Sequence, residues 1–110
     1  MIRDFYRGET KKFKITIEVD GANPDITGDT VTYTMKTNKD DPDPGILQVN
    51  ADVAAPGGSN GEASFELTPA QTDVAIGHYF CDVQWILATG EEYIIIPPQE
   101  IQVLERVSDV

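Results

Sequence analysis

The single histidine of the chain, His78, is the residue best suited to acid–base chemistry. A histidine beside a serine could activate its hydroxyl as a nucleophile, and the chain offers Ser59, Ser64 and Ser108. No nucleophile-elbow motif surrounds these serines, and the odd spacing from His78 to Cys81 puts the two on opposite faces of a strand. We therefore expect no catalytic residues, and a solvent-facing histidine.

An acidic loop, DDPDPG, is the best place for a metal ion. Its carboxylates resemble calcium sites in outline. The loop lacks the D-x-D-x-D-G run and the distal glutamate, and its prolines restrict how the oxygens converge. We interpret these side chains as solvated turn residues, with weak metal candidates at Asp40, Asp41 and Asp43, and expect no cofactor. The same holds for the preceding loop with Asp20, Asp25 and Asp29.

Aromatic side chains on a sheet face could bind a sugar, and the candidates are Phe80, Trp85 and Tyr93. Trp85 alternates in phase with residues predicted to be buried, so it is expected in the core. A glycan- or receptor-binding module, such as a host-recognition domain, therefore stays as the alternative function. The exposure of Trp85 separates that alternative from a purely structural role.

The run GHYFCDVQW has the Y-x-C spacing of immunoglobulin domains, in which the tyrosine closes a corner through its hydroxyl. Cys81 is the only cysteine, so no internal disulfide can form, and Trp85 follows it on the same strand. The chain thus departs from antibody domains but can keep their local mechanics. We expect Gly77 to turn the chain, Tyr79 to pin the corner, Cys81 to fill a small apolar space and Trp85 to fill the core.

Period-two alternation of apolar residues runs through most of the sequence and is typical of half-buried antiparallel strands. It occurs in KKFKITIEV, TVTYTMKT, GILQVNADV, ASFEL, HYFCDVQWILA, EYIIIP and EIQVLERV. Thr68 and Pro69 predict a short helical turn near residues 68–73. Pro97 and Pro98 must bend or end a strand. The pattern predicts one all-β domain, 1–110: an immunoglobulin-like two-sheet antiparallel β-sandwich of about seven strands, with a small closed barrel as the alternative.

Charge is segregated along the chain, whose net charge is −11. Five of the eight basic residues lie in the N-terminal arm 1–14, and the remainder is acidic. An acidic body repels nucleic acid and anionic lipid, so we expect neither as a partner. A basic arm on one copy could instead meet an acidic face on the next.

Some apolar residues fall on the face of the strands predicted to be wet. Phe80 and Ile86 alternate with the core set, and the three isoleucines of YIIIP place at least one on each face. Such a patch indicates either a covering element or a subunit interface. The predicted interface residues are Arg3, Arg7, Lys11, Lys12, Lys14, Phe80, Ile86 and Ile95.

Nearly the whole chain resembles small β-sandwich modules of tailed phages and prophages, such as the N-terminal domain of baseplate upper proteins and related tail or neck proteins. The matching motifs are RGET before the first strand, ITGDT before the second, LTPAQT, and GHYFCDV, with a closing strand of valine and isoleucine. The resemblance implies a non-catalytic virion part that assembles with itself or with other phage structural proteins. Baseplate upper proteins continue into long C-terminal regions whereas this sequence stops at Val110, so a free-standing accessory is expected.

The N-terminal MIRDFYRGETKK lacks an apolar stretch followed by a cleavage site, so we expect no secretory signal. No apolar run approaches the length of a membrane span. Together with the resemblance, this predicts synthesis in the cytoplasm of a host bacterium and a final location in the virion.

Overall fold

Alternating apolar residues form strands in most of the segments predicted to contain them. The computed structural model describes residues 4–43 and 45–105, and seven strands follow one another in these ranges. They are β1 (Phe5–Tyr6), β2 (Lys11–Thr16), β3 (Thr30–Lys36), β4 (Leu47–Asn50), β5 (Glu62–Leu67), β6 (Gly77–Ile86) and β7 (Glu92–Leu104). A 3₁₀ turn (Gly58–Asn60) precedes β5, and a helix, α1 (Pro69–Thr72), precedes β6.

The strands form two separate sheets. The large sheet has the order β1-β7-β6-β3-β4, and the small sheet pairs β2 with β5. All neighbouring strands are antiparallel except β1 and β7, which are parallel. The predicted all-β, two-sheet sandwich is therefore confirmed over the closed barrel. We call the surface of the large sheet that faces the small sheet its inner face, and the opposite surface its outer face.

The C-terminal part differs in detail from the prediction. The two strands expected on either side of Pro97 and Pro98 are one continuous strand, β7, and the short β1 within the basic arm was not predicted. Cys81 pairs with Gln99 and Val83 pairs with Ile96, so β7 has one residue more than β6 across the proline pair. Such a bulge tolerates proline, which cannot donate to a regular ladder.

Three aromatic rings join the two sheets at the centre of the core. Phe13 of β2 and Phe65 of β5 stack with ring centroids 4.9 Å apart, and both meet Tyr33 of β3 edge-on. Tyr33 is fully buried, and its hydroxyl has no hydrogen-bond partner among the described residues. Burial raises the pKa of Tyr33 far above its ordinary value, so this hydroxyl stays protonated.

The helical turn predicted near residues 68–73 is α1, and it forms for the expected reasons. The Thr68 hydroxyl accepts from the Gln71 N–H, and the Gln71 side chain accepts from the Thr68 N–H, with Pro69 at the start of the helix. The buried Thr72 hydroxyl then donates to the carbonyl of Glu9, 2.6 Å away. This bond ties α1 to the turn between β1 and β2.

In the described ranges, no helix has the length and apolar character needed to cross a membrane.

The glycine-rich loop before β5 is ordered by backbone contacts. The Gly58 N–H donates to the carbonyl of Ala54, and the Gly58 carbonyl accepts from the N–H of Ile26. Gly58 is buried, and a Cβ at this position would clash with the carbonyl oxygen of Val53. The neighbouring Gly57 is helical, with φ −57°, and a Cβ there would have 3.5 Å to its nearest neighbour.

We expect Gly58→Ala to lower the free energy of unfolding by at least about 2 kcal/mol, because the rigid Val53 backbone must move to admit a methyl group. Gly57→Ala is the matched control and should change it by less than about 1 kcal/mol in either direction. Urea denaturation followed by Trp85 fluorescence measures both. Equal stability of the two variants would contradict the close approach at Gly58.

Candidate functional site

The predicted tyrosine corner lies at the entry to β6. The Tyr79 hydroxyl donates to the carbonyl of Ala75, four residues earlier. Gly77 begins the strand with φ +151°, a backbone conformation that residues with a side chain rarely adopt. Both residues have the structural roles expected of them, and together they fix where β6 starts.

Cys81 is buried on the inner face, as expected of a small core residue. Burial raises the pKa of its thiol to about 11. The thiol is therefore protonated at neutral pH. A protonated thiol is a poor nucleophile and a poor metal ligand.

Trp85 is also a core residue, with 8% of its surface exposed. Its indole N–H donates to Asp29 Oδ2 at 3.0 Å, and Asp29 Oδ1 accepts from the Ala88 N–H at 3.0 Å. Asp29 thus connects the loop before β3 to the turn after β6. The sequence alone predicts a solvated carboxylate at Asp29. Because a buried tryptophan usually has a hydrogen-bond acceptor for its N–H, the predicted burial of Trp85 already implies a polar residue beside its indole.

His78 projects from the outer face and contacts polar residues of β7. Its Nδ1 lies 3.5 Å from Glu100 Oε1, and its Nε2 lies 3.5 Å from the Gln102 amide nitrogen. Ser64 belongs to the small sheet and Ser59 to the 3₁₀ turn, while Ser108 lies outside the described residues. The structure therefore does not bring His78 together with either of the two described serines.

The carboxylates of the acidic loop are engaged separately. Asp41 Oδ2 accepts from the Asn38 N–H at 3.0 Å, and Asp43 Oδ1 lies 2.8 Å from the Lys36 ammonium. Asp40 is exposed. Across residues 4–43 and 45–105, no group of three or more histidine, cysteine, aspartate or glutamate side chains could hold a metal ion.

The basic arm is partly neutralised within the chain. The Arg7 guanidinium lies 2.9 Å from Asp73, and the Lys14 ammonium lies 3.6 Å from Glu62. Lys12 pairs in register with Glu66 of β5. Lys12 and Lys14 project from the solvent side of the small sheet, whereas Lys11 is half-buried in phase with Phe13. Arg3 lies outside the described residues.

The outer face of the large sheet carries the apolar residues predicted for an interface, with one correction. Phe80 and Ile86 of β6 alternate with the buried set and are half-buried. Ile95 packs against the core instead, because a second register shift in β7 falls between Ile96 and Ile94. Ile94 pairs with Gln84 of β6 and takes the outward position, with 53% of its surface exposed.

The predicted interface residues thus divide between opposite sides of the sandwich. Phe80, Ile86 and the newly placed Ile94 lie on the outer face of the large sheet, while Lys12 and Lys14 lie on the solvent side of the small sheet. On the outer face, the Lys39 ammonium lies 5.1 Å from the centre of the Phe80 ring.

No family model and no curated protein sequence matches the chain.

Asp82 lies on the outer face, and its surroundings there change the pKa of its carboxyl group. Partial burial raises the pKa of its carboxyl, an effect that nearby Asp43 reinforces and Lys36 opposes. Asp82 lies between Phe80 and the bulge at Pro98 and helps to line a small cleft there. The outer face therefore holds a carboxylate with reduced access to water beside apolar side chains.

Asp82→Asn should raise the free energy of unfolding at neutral pH, because burial destabilises the charged carboxylate. A pKa that is higher in the folded than in the unfolded state means that this destabilisation appears as the pH rises through these values. The free energy of unfolding of the variant should therefore exceed that of the wild type at pH 7, and this difference should shrink as the pH falls towards about 4. Urea denaturation at both pH values tests this. A variant that is less stable at pH 7 would show that attraction to Lys36 outweighs burial.

Proposed function

We propose that this chain is a non-enzymatic structural protein of a tailed-phage or prophage particle, acting as a tail, neck, connector or baseplate accessory. The observation that carries the proposal is the outer face of the large sheet, where apolar residues lie among polar ones and no described strand covers them. In this proposal the face is a contact surface between protein subunits. The motifs RGET, ITGDT, LTPAQT and GHYFCDV resemble those of phage modules, and this resemblance is the reason for proposing a phage particle.

The composition of the outer face resembles that of subunit interfaces. Ile94 and Tyr6 are exposed, and Phe80 and Ile86 are half-buried. Around them lie side chains that can form hydrogen bonds at an interface rim: His78, Gln84, Glu92 and Glu100. Covering apolar surface releases about 25 cal/mol per Å², which favours a protein partner over water.

The charges support a contact between copies of the chain. Asp82, Glu92 and Glu100 lie on the outer face, where Lys36 and Lys39 offset part of their charge, and Lys12 and Lys14 lie on the opposite side of the sandwich. A surface that meets a different surface of the next copy forms a head-to-tail contact, which yields rings or fibres. Glu62 and Glu66 offset part of the lysine charge, so apolar burial must supply most of the binding free energy.

The alternative is a glycan- or receptor-binding module. It requires an accessible aromatic platform, and Trp85 was its largest candidate. The burial of Trp85 and its hydrogen bond to Asp29 count against it. Tyr93 is exposed beside Trp85, with the ring centroids 5.7 Å apart, but the ring planes are tilted by 40° and form no flat surface.

A structural virion protein should be present in purified particles. We expect peptides of this chain in particles released from the bacterium that carries its gene, purified by density gradient after prophage induction and analysed by mass spectrometry. Its ratio to the capsid protein should stay constant across the gradient peak. Particles that lack the chain would contradict the proposal.

The outer face can be tested directly with Ile94→Glu. This variant should be lost from particles by at least about tenfold, because a buried unpaired carboxylate at the contact costs well over 1.4 kcal/mol. Val19→Glu is the matched control, since Val19 has similar exposure, 45%, but lies in the loop between β2 and β3. Mass spectrometry of the particles and sedimentation velocity of the pure variants measure incorporation and self-association. Equal incorporation of both variants would exclude the outer face as the contact.

A further inference from the structure

In the part of the chain that the structure describes, the small sheet has an open edge along β2. Among the described residues, β2 pairs with β5 alone. Ser64 of β5 exchanges both of its backbone hydrogen bonds with Asp52, at 2.7 and 3.0 Å, so its backbone groups point away from β2. Because bonding alternates along an antiparallel pair, Lys14 opposite Ser64 directs its own N–H and C=O to the other edge. The same alternation assigns the backbone groups of Lys12 and Thr16 to that edge.

A groove of mixed polarity runs beside this edge. It has a volume of about 610 Å³ and is lined by Ile15, Ile17, Ile95 and Ile96, with Lys14 and Glu18 among the flanking residues. Its second wall is the first half of β7, which also has a free edge in the described structure because β1 pairs only with Val103 and Leu104. The groove therefore offers backbone groups that no described strand pairs with, beside four isoleucine side chains and the polar residues that flank them. We call it the strand groove.

We propose that the strand groove binds an extended segment of a partner protein, which adds a strand to the free edge of β2. The bound strand would place apolar side chains inward against Ile95 and Ile96 and acidic side chains outward beside Lys12 and Lys14. Main-chain hydrogen bonds to an open edge give affinity in such complexes, and alternate side chains give specificity. This inference goes beyond the proposed function, since it concerns another surface and holds whether or not the outer face binds a subunit.

The strand that pairs with the opposite edge of β2 shows which kind of partner strand suits the side chains of β2. There β5 places Ala63, Phe65 and Leu67 inward and Glu62 and Glu66 outward. Glu66 pairs in register with Lys12, and Glu62 lies 3.6 Å from the Lys14 ammonium. A second copy of β2 would bring lysines against lysines, and like charges on paired strands are destabilising. The occupant is therefore an acidic strand.

A synthetic peptide with the sequence of Gly61–Thr68 is the probe, because it reproduces this alternation. Titrated into the isotope-labelled full chain to about 1 mM, it should shift the amide resonances of Lys12, Lys14 and Thr16 and slow their hydrogen exchange. The methyl groups of Ile95 and Ile96 should shift with them. The same peptide carrying Glu62→Lys and Glu66→Lys should bind at least about tenfold more weakly.

Two variants of the chain separate backbone pairing from charge. Lys14→Pro removes the free-edge N–H without removing a bond to β5, whereas Lys14→Ala removes the charge and keeps the N–H. Binding should be lost in Lys14→Pro and retained, though weaker, in Lys14→Ala. Amide shifts of the large sheet report whether each variant is folded. If Lys14→Pro is unfolded, Lys12→Pro compared with Lys12→Ala makes the same test.

Four results of the peptide titrations would overturn the strand-groove proposal. The first is the absence of resonance shifts at about 1 mM peptide, and the second is equal peptide binding by Lys14→Pro and Lys14→Ala. The third is that the peptide with two lysines binds as tightly as the original peptide. The fourth is that the shifts occur on the outer face, at Phe80 or Ile94, and not along β2. Protection of the Lys12, Lys14 and Thr16 amides in the free protein, together with a sedimentation coefficient of a dimer, would show that a second copy occupies the edge and would also overturn it. None of these results depends on whether particles contain the chain.

Discussion

The packing of Phe13 and Phe65 onto Tyr33 is the contact on which the rest of the structure depends. Cys81 is the only cysteine, so no internal disulfide joins the sheets, and apolar packing must do so. The small sheet has only two strands to cover the inner face of five. Because it is so narrow, no strand of the described residues covers one side of the sandwich. The strand groove is thus a direct result of how few strands pack on the large sheet, while the outer face is uncovered for the separate reason that no described element crosses it.

Local features of the sequence predicted much of the fold. Alternation located the strands because a half-buried sheet requires it, and Thr68 with Pro69 located α1 because capping is decided within a few residues. The Tyr79 corner was also predictable, since its hydrogen bond to Ala75 spans four residues. The two-residue β1 was not, because so short a strand has no period of its own and forms only where β7 pairs with it.

The candidate surfaces were less predictable because they depend on distant residues and on register. A bulge in β7 exchanges the expected positions of Ile94 and Ile95, and no alternation in YIIIP could place it. Arg7 is a predicted interface residue, and the fold pairs it with Asp73, which is 66 residues away along the chain. Asp29 looked like a loop carboxylate until the fold placed it beside the Trp85 indole. In each case the sequence supplied the right residue type, and tertiary structure decided its role.

The parallel pairing of β1 with β7 has a mechanical consequence. Phe5 lies opposite Val103 and Tyr6 opposite Leu104, and further bonds join Asp4 to Gln102 and Arg7 to Leu104. Tension applied between residues 4 and 105 pulls these two strands in opposite directions along their length. The bonds between them are then sheared together instead of being opened one at a time. A module loaded in this way resists stretching better than one whose terminal strands peel apart.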